Sequence, residues 1–160
     1  LDPTVSSGNW RTQFEFKTGG YGGNTGHGDY RIITNILKDT DNKLYWLTRG
    51  DSNANGPVSF ITYWRKENRT VPVPIGEWFK FEVYWHRSNG TDGRFCAAVN
   101  EREIVKYQGS TMGEHNLPIT RIMVNNAYSG GHAPVESYTT GLEIWEVIPA
   151  ARIGKFCFFD

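Results

Sequence analysis

Between residues 77 and 86 the chain alternates without a break. Phe79, Phe81, Val83 and Trp85 fall on one side, and Trp78, Lys80, Glu82, Tyr84 and His86 on the other. Only an extended strand separates odd from even positions in this way, so the segment reads as a half-buried strand whose first set faces a core. Residues 10–17 repeat the pattern, predicting Trp10, Phe14 and Phe16 on one buried face. No window favours the 3.6-residue period of an amphipathic helix. Further strands are expected over 30–37, 43–49, 58–66, 94–99, 104–107, 119–126 and 141–148. Turn-forming stretches at 39–42, 50–57, 88–93 and 100–103 separate several of them. About nine short strands joined by Gly, Asn and Asp turns predict an all-β jelly-roll β-sandwich of two antiparallel sheets. Residues 1–149 are read as one domain. Residues 150–160, which follow Pro149, are read as a C-terminal tail or an extra edge strand.

Composition narrows the function classes. Lys plus Arg number 17 and Asp plus Glu 17, a net charge of +0, which argues against a nucleic-acid binder. No apolar run approaches the roughly 20 residues of a membrane-spanning helix, so no membrane insertion is expected. The first residues lack a basic start followed by an apolar stretch, as expected of a mature secreted or extracellular chain, or of a domain from a longer one. Cys96 and Cys157 match no zinc spacing; they could form one bridge tying the tail to the body, or be two buried thiols. Asn68-Arg69-Thr70 and Asn89-Gly90-Thr91 fit the glycosylation acceptor pattern.

Val73-Pro74-Ile75-Gly76-Glu77-Trp78-Phe79-Lys80-Phe81 opens a stretch that continues through Asp92-Gly93-Arg94-Phe95 and Val99-Asn100-Glu101-Arg102-Glu103-Ile104. Together with Ile122-Met123-Val124-Asn125-Asn126-Ala127-Tyr128-Ser129, it resembles the central hairpins and penultimate strand of concanavalin A-like sandwiches. That superfamily includes polysaccharide lyases of the alginate and glucuronan type, laminin-G-like modules and carbohydrate-binding modules. The resemblance implies two stacked sheets, one curved, with a groove on the concave face that holds an extended glycan. Asp92-Gly93 is expected to supply the positive φ of a tight hairpin.

A sugar ring offers an apolar face and a rim of hydroxyls, so its groove needs flat aromatics and planar polar groups. Tyr84 and His86 alternate away from the core set of their strand. Tyr63 and Arg65 stand in the same relation to Phe60, Thr62 and Trp64. Tyr45 and Arg49 could line a neighbouring strand, and Tyr128 lies among Asn125, Asn126 and His132. Trp46 could face either way, whereas Trp64, Trp85 and Trp145 read as core, and Trp10 as core or an end plug. The glycine-rich run 19–28 lacks the Gly-Lys-Ser/Thr ending of a phosphate loop and reads as a rim loop offering Tyr21 and His27. The resemblance makes a structural calcium plausible, with Asp39, Asp41, Asp51, Asn53 and Asn55 as oxygen donors.

Enzymatic readings meet departures. The alginate-lyase strand resembles Tyr-Phe-Lys-Ala-Gly-x-Tyr. Aligning its last tyrosine with Tyr128 puts Val124 at the lysine and Asn126 at the glycine. Glu143 and Glu146 fall on opposite faces of the expected last strand and make a poor glycosidase pair. The leading expectation is therefore a non-catalytic carbohydrate-binding module, possessing no required cofactor and appended to a larger glycan-active enzyme. Its ligand would be a cell-wall polysaccharide of the β-glucan or xylan type, the neutral class being favoured by the zero net charge. Its ligand residues would be Tyr84, His86, Tyr63, Arg65, Tyr128, Asn126, Trp46, Tyr45, Arg49 and His132. The alternative is a small polysaccharide lyase acting by β-elimination on a uronate polymer, using Tyr128, Tyr84 and His86. A laminin-G-like protein-binding module is the third class.

Overall fold

The computed structural model describes residues 10–20, 30–52, 61–125 and 138–149. These form eight antiparallel strands: β1 (Trp10–Thr18), β2 (Tyr30–Lys38), β3 (Leu44–Ser52), β4 (Ile61–Asn68), β5 (Phe81–His86), β6 (Arg94–Val99), β7 (Arg102–Gln108) and β8 (Ile119–Val124). A five-stranded sheet has the order β4-β3-β2-β1-β8, and a three-stranded sheet the order β5-β6-β7. No helix occurs among the described residues, and the architecture is β-sandwich-like.

One core joins the two sheets. Tyr30, Ile32, Ile36, Trp46 and Trp64 of the larger sheet pack with Phe95, Ala97, Val99, Ile104 and Val105 of the smaller. Phe81, Val83 and Trp85 pack against this cluster as their alternation predicts. Trp85 lies with its ring centre 4.8 Å from that of Phe16, and Phe81 lies 5.9 Å from Phe14. Trp64 stacks on Tyr107 at 4.3 Å and donates its indole N–H to the Tyr30 hydroxyl at 2.7 Å. That hydroxyl donates in turn to the Ser110 carbonyl at 3.3 Å.

Two bulges reassign faces that simple alternation misreads. In β1 the register shifts between Thr12 and Phe14, so Trp10 pairs with Leu37 while Phe14 pairs with Thr34. Trp10 consequently lies on the outer face, away from Phe14 and Phe16, and is partly exposed. In β4 the register shifts so that Trp64 opposes Gly50 while Thr62 opposes Asp51. Thr62 thus joins the outer face instead of sharing the inner one with Trp64. An inserted residue reverses the parity of everything beyond it.

Two glycines are required by close approach. A Cβ on Gly50 would run into the Tyr30 hydroxyl and the Trp64 indole. Gly50→Ala should therefore break their hydrogen bond and lower stability by at least about 2 kcal/mol in a denaturant titration. Gly19→Ala, whose Cβ would meet only Thr120 at an ordinary 3.6 Å, is the control and should change stability by less than about 0.5 kcal/mol. Gly93 is not in the positive-φ region that its hairpin was expected to need. Its constraint is spatial: a Cβ there would meet the Gly109 carbonyl and stand 2.6 Å from Thr111 Oγ1. The left-handed hairpin lies instead between β6 and β7, where Asn100 (φ 48°) and Glu101 (φ 66°) form a two-residue turn.

The expected strand over 141–148 is absent: these residues form no ladder. Trp145, expected in the core, is 53% exposed, and Leu142, Ile144 and Val147 are also exposed. The first strand turn of the 77–86 segment also opens later than its alternation predicts, with the ladder starting at Phe81 and Trp78 exposed.

Burial raises the Tyr30 phenol well above its ordinary value, the Trp64 hydrogen bond opposing this only in part. The folded state holds the neutral phenol, whereas the unfolded chain ionises it near about pH 10. Its contribution to stability is thus complete below that pH and declines as pH rises beyond it. A tyrosinate absorbance titration should show one phenol that does not ionise until circular dichroism reports unfolding, and Tyr30→Phe should flatten the alkaline loss.

Candidate functional site

Because Ile32, Ile36, Trp46 and Trp64 face the core, their neighbours along the same strands form the outer face of the five-stranded sheet. Register lines these neighbours up in rows across the strands. One row runs Arg121, Lys17, Arg31, Asp51. The next runs Met123, Glu15, Ile33, Arg49, Arg65. Beyond them come Asn35, Leu47 and Glu67, then Leu37 and Tyr45. Within the first two rows, five cationic side chains stand against two carboxylates.

Asp51 and Glu15 lie deep with the largely buried Arg31 and Lys17 against them, while Arg49, Arg65 and Glu67 reach the surface. Asp51 is 1% exposed. It accepts a two-pronged contact from Arg31, Nε to Oδ1 at 2.9 Å and Nη2 to Oδ2 at 2.7 Å, and Arg49 Nε lies 3.1 Å from Oδ2. Glu15, equally buried, has Oε1 at 3.3 Å from Arg31 Nη1 and 3.5 Å from Lys17 Nζ, while its Oε2 has no hydrogen-bond partner among the described residues. Arg49 and Arg65 oppose each other directly, with side chains 37% and 55% exposed. Arg65 donates to Glu67 at 2.6 Å, and Arg69 reaches over the Tyr45 ring at 3.8 Å while pairing with Asp39 and Glu67. Tyr45 itself is buried beneath that guanidinium.

The residues singled out from the sequence divide between two surfaces. Tyr45, Arg49 and Arg65 share the face just described. Tyr63 sits at the β4 bulge, partly exposed, its ring 5.7 Å from that of Tyr30. Tyr84 and His86 lie on the outer face of the three-stranded sheet, opposite Cys96 and Arg94. The inner faces of the sheets pack together, so these two outer faces point in opposite directions. His86 Nε2 is 4.0 Å from Asp92, whose carboxyl is held below its ordinary value by the Ser88 hydroxyl hydrogen bond. Trp46 is in the core, 1% exposed, donating its indole N–H to the Val71 carbonyl at 3.1 Å. Asn126, Tyr128, His132, Asn53 and Asn55 lie outside the described residues, as do Tyr21, His27, Cys157 and the 150–160 tail.

Of the oxygens expected at a calcium site, those of Asp51 are engaged by the Arg31 and Arg49 guanidiniums. Asp39 is also engaged, accepting the Asp41 and Lys43 backbone N–H groups on Oδ1 and Arg69 on Oδ2. Among the described residues no three His, Cys, Asp or Glu side chains converge as metal ligands would. Cys96 is fully buried and disulfide-bonded, which resolves the choice between a bridge and a buried thiol at that position.

Sequence reasoning did not single out Arg31, Lys17, Glu15 or Arg121. Their signal was opposite parity to Ile32 and Phe16, legible only once the register of four neighbouring strands is known. No protein-family model, curated protein or solved structure matches the chain.

Proposed function

We propose that this domain binds an extended polysaccharide on the outer face of its five-stranded sheet, without breaking a bond. The carrying observation is the direct opposition of two exposed arginines, Arg49 and Arg65, with Asp51 buried beneath Arg49 and Glu67 beside Arg65 at the surface. Like charges directly opposed across strands repel; Asp51 and Glu67 offset part of this, and an anion bridging the two guanidiniums would offset the rest. Planar guanidinium groups offer paired N–H donors suited to the oxygens of a sugar chain. The disulfide at Cys96 fits a secreted or extracellular setting, where such bridges persist and where polysaccharides are met.

The β-elimination alternative requires a base and an acid beside the groups that neutralise the uronate. Tyr84 and His86 stand on the outer face opposite to the arginines, which favours the binder over the lyase. Affinity electrophoresis against neutral and acidic polysaccharides, with each mixture followed in the ultraviolet, tests the reading. Retardation without a rise in absorbance is expected. A rise on a polyuronate would replace the binder by the lyase, and no retardation by any glycan would remove both.

A further inference from the structure

Net charge is a sum, and the sum conceals how charge is distributed. Although the whole chain is neutral, the two rows on the outer face of the five-stranded sheet hold Arg121, Lys17, Arg31, Arg49 and Arg65 against Glu15 and Asp51; of these cations Arg121, Arg49 and Arg65 stand at the surface, with Glu67 of the next row beside Arg65. Resting on the glycan-binding reading above, we propose that this face takes an anionic polysaccharide, one bearing carboxylate or sulfate groups, with Arg49 and Arg65 gripping one acid group between them.

The arginines are built for this task. Arg49 is steadied from below by a single contact, its Nε against Asp51, and Arg65 by its contact with Glu67. Both guanidiniums remain partly exposed, at 37% and 55%. Two forks at a directly opposed cross-strand pair, with Cβ atoms roughly 5 Å apart, can close on one planar or tetrahedral anion. The buried ion pairs explain how the fork is held: Arg31 donates to both Asp51 oxygens through one guanidinium edge, and Asp51 in turn anchors Arg49. Arg121 on β8 lies four strand spacings from Arg65, about 19 Å, and Glu15 and Ile33 between them are 1% and 2% exposed, so the contact is the local Arg49–Arg65 pair. One such pair suits an acid group set apart on a sugar chain more than the dense charge of a nucleic acid.

The test compares retardation by polygalacturonate (carboxylate only), dextran sulfate (sulfate only), the neutral glucan laminarin, xylan and single-stranded DNA. The proteins are the wild type, the double variant Arg49→Gln/Arg65→Gln and the control Lys106→Gln. The control removes a charge from the outer face of the opposite sheet. The expected result is binding to polygalacturonate or dextran sulfate that weakens with added salt. It should fall at least tenfold in the double variant and remain unchanged in the control, with the melting temperature of all three proteins alike. Which of the two anions binds identifies the acid group. Retention by laminarin or xylan alone, unaffected by the arginine substitutions, would overturn the anionic assignment while leaving glycan binding standing. Failure on every glycan would remove both, and DNA bound as tightly as the acidic glycans would overturn the commitment to a polysaccharide.

Discussion

Trp46→Ala is expected to lower the stability of the fold by about 4 kcal/mol, the upper range for truncating a buried aromatic. Trp46 stands on β3 between Ile36 of β2 and Asn68 of β4, on the face turned to the smaller sheet. Its ring centre lies 6.2 Å from that of Phe81 and 6.4 Å from that of Phe79, so it is what the start of β5 packs against. Truncation opens a cavity between the sheets and leaves the Val71 carbonyl without its donor. Trp46→Phe keeps most of the apolar volume and loses the hydrogen bond, for an expected cost of about 1–2 kcal/mol. A urea titration should show a lowered midpoint with an unchanged slope. Glycan retention at temperatures where the variant is folded should be intact. Loss of retention with normal stability would return Trp46 to the role of a stacking platform.

Asp51→Ala should be nearly as damaging, about 3 kcal/mol, because it strands the Arg31 guanidinium in a site closed to water. The side chain of Arg31 is mostly buried and is held by Asp51 through two hydrogen bonds, with Glu15 as the weaker second partner. Removing both partners of the pair, in Asp51→Ala/Arg31→Met, should recover part of the loss, since the stranded Arg31 charge is gone and Glu15, which loses Arg31, keeps Lys17. The double-mutant cycle measures the coupling directly. A chelator added to the wild type separates the ion-pair account from a calcium account at the same carboxylate. Melting unmoved by chelation is the expected outcome, and a lowered melting temperature that Asp51→Ala abolishes would reinstate the metal.

Much of the strand content was legible because strand formation is a local event. The alternation of Phe81, Val83 and Trp85, and of Phe14 and Phe16, reports burial of one face before any partner strand is known. The two-residue Asn100-Glu101 turn follows from a local signal of the same kind. The strand expected over 141–148 forms no ladder, and its alternation is broken, Glu146 sharing parity with Leu142, Ile144 and Ile148, and Glu143 with Trp145 and Val147.

The candidate site was legible only in part. Parity places Tyr45 and Arg49 on one face of β3, whereas Arg65 of β4 shares that face and Tyr84 and His86 of β5 lie on the other side of the sandwich only through sheet order and register. Parity states which residues share a face of one strand; it is silent on which strands share a sheet. Nor could it register the bulges that turn Trp10 outward and move Thr62 beside Asp51, since one inserted residue reverses every assignment past it.

By itself, then, the sequence determined that this chain is an all-β protein whose strands each carry one apolar face, because side-chain alternation and turn chemistry act over a few residues. Only the tertiary structure decided that Arg49 meets Arg65, that Asp51 lies beneath Arg49 on Arg31, that Gly50 must make room for Tyr30 and Trp64, and that Trp46 belongs to the core. Those are contacts between residues distant along the chain. They depend on sheet order and register, which are set by how both faces of the sandwich pack at once.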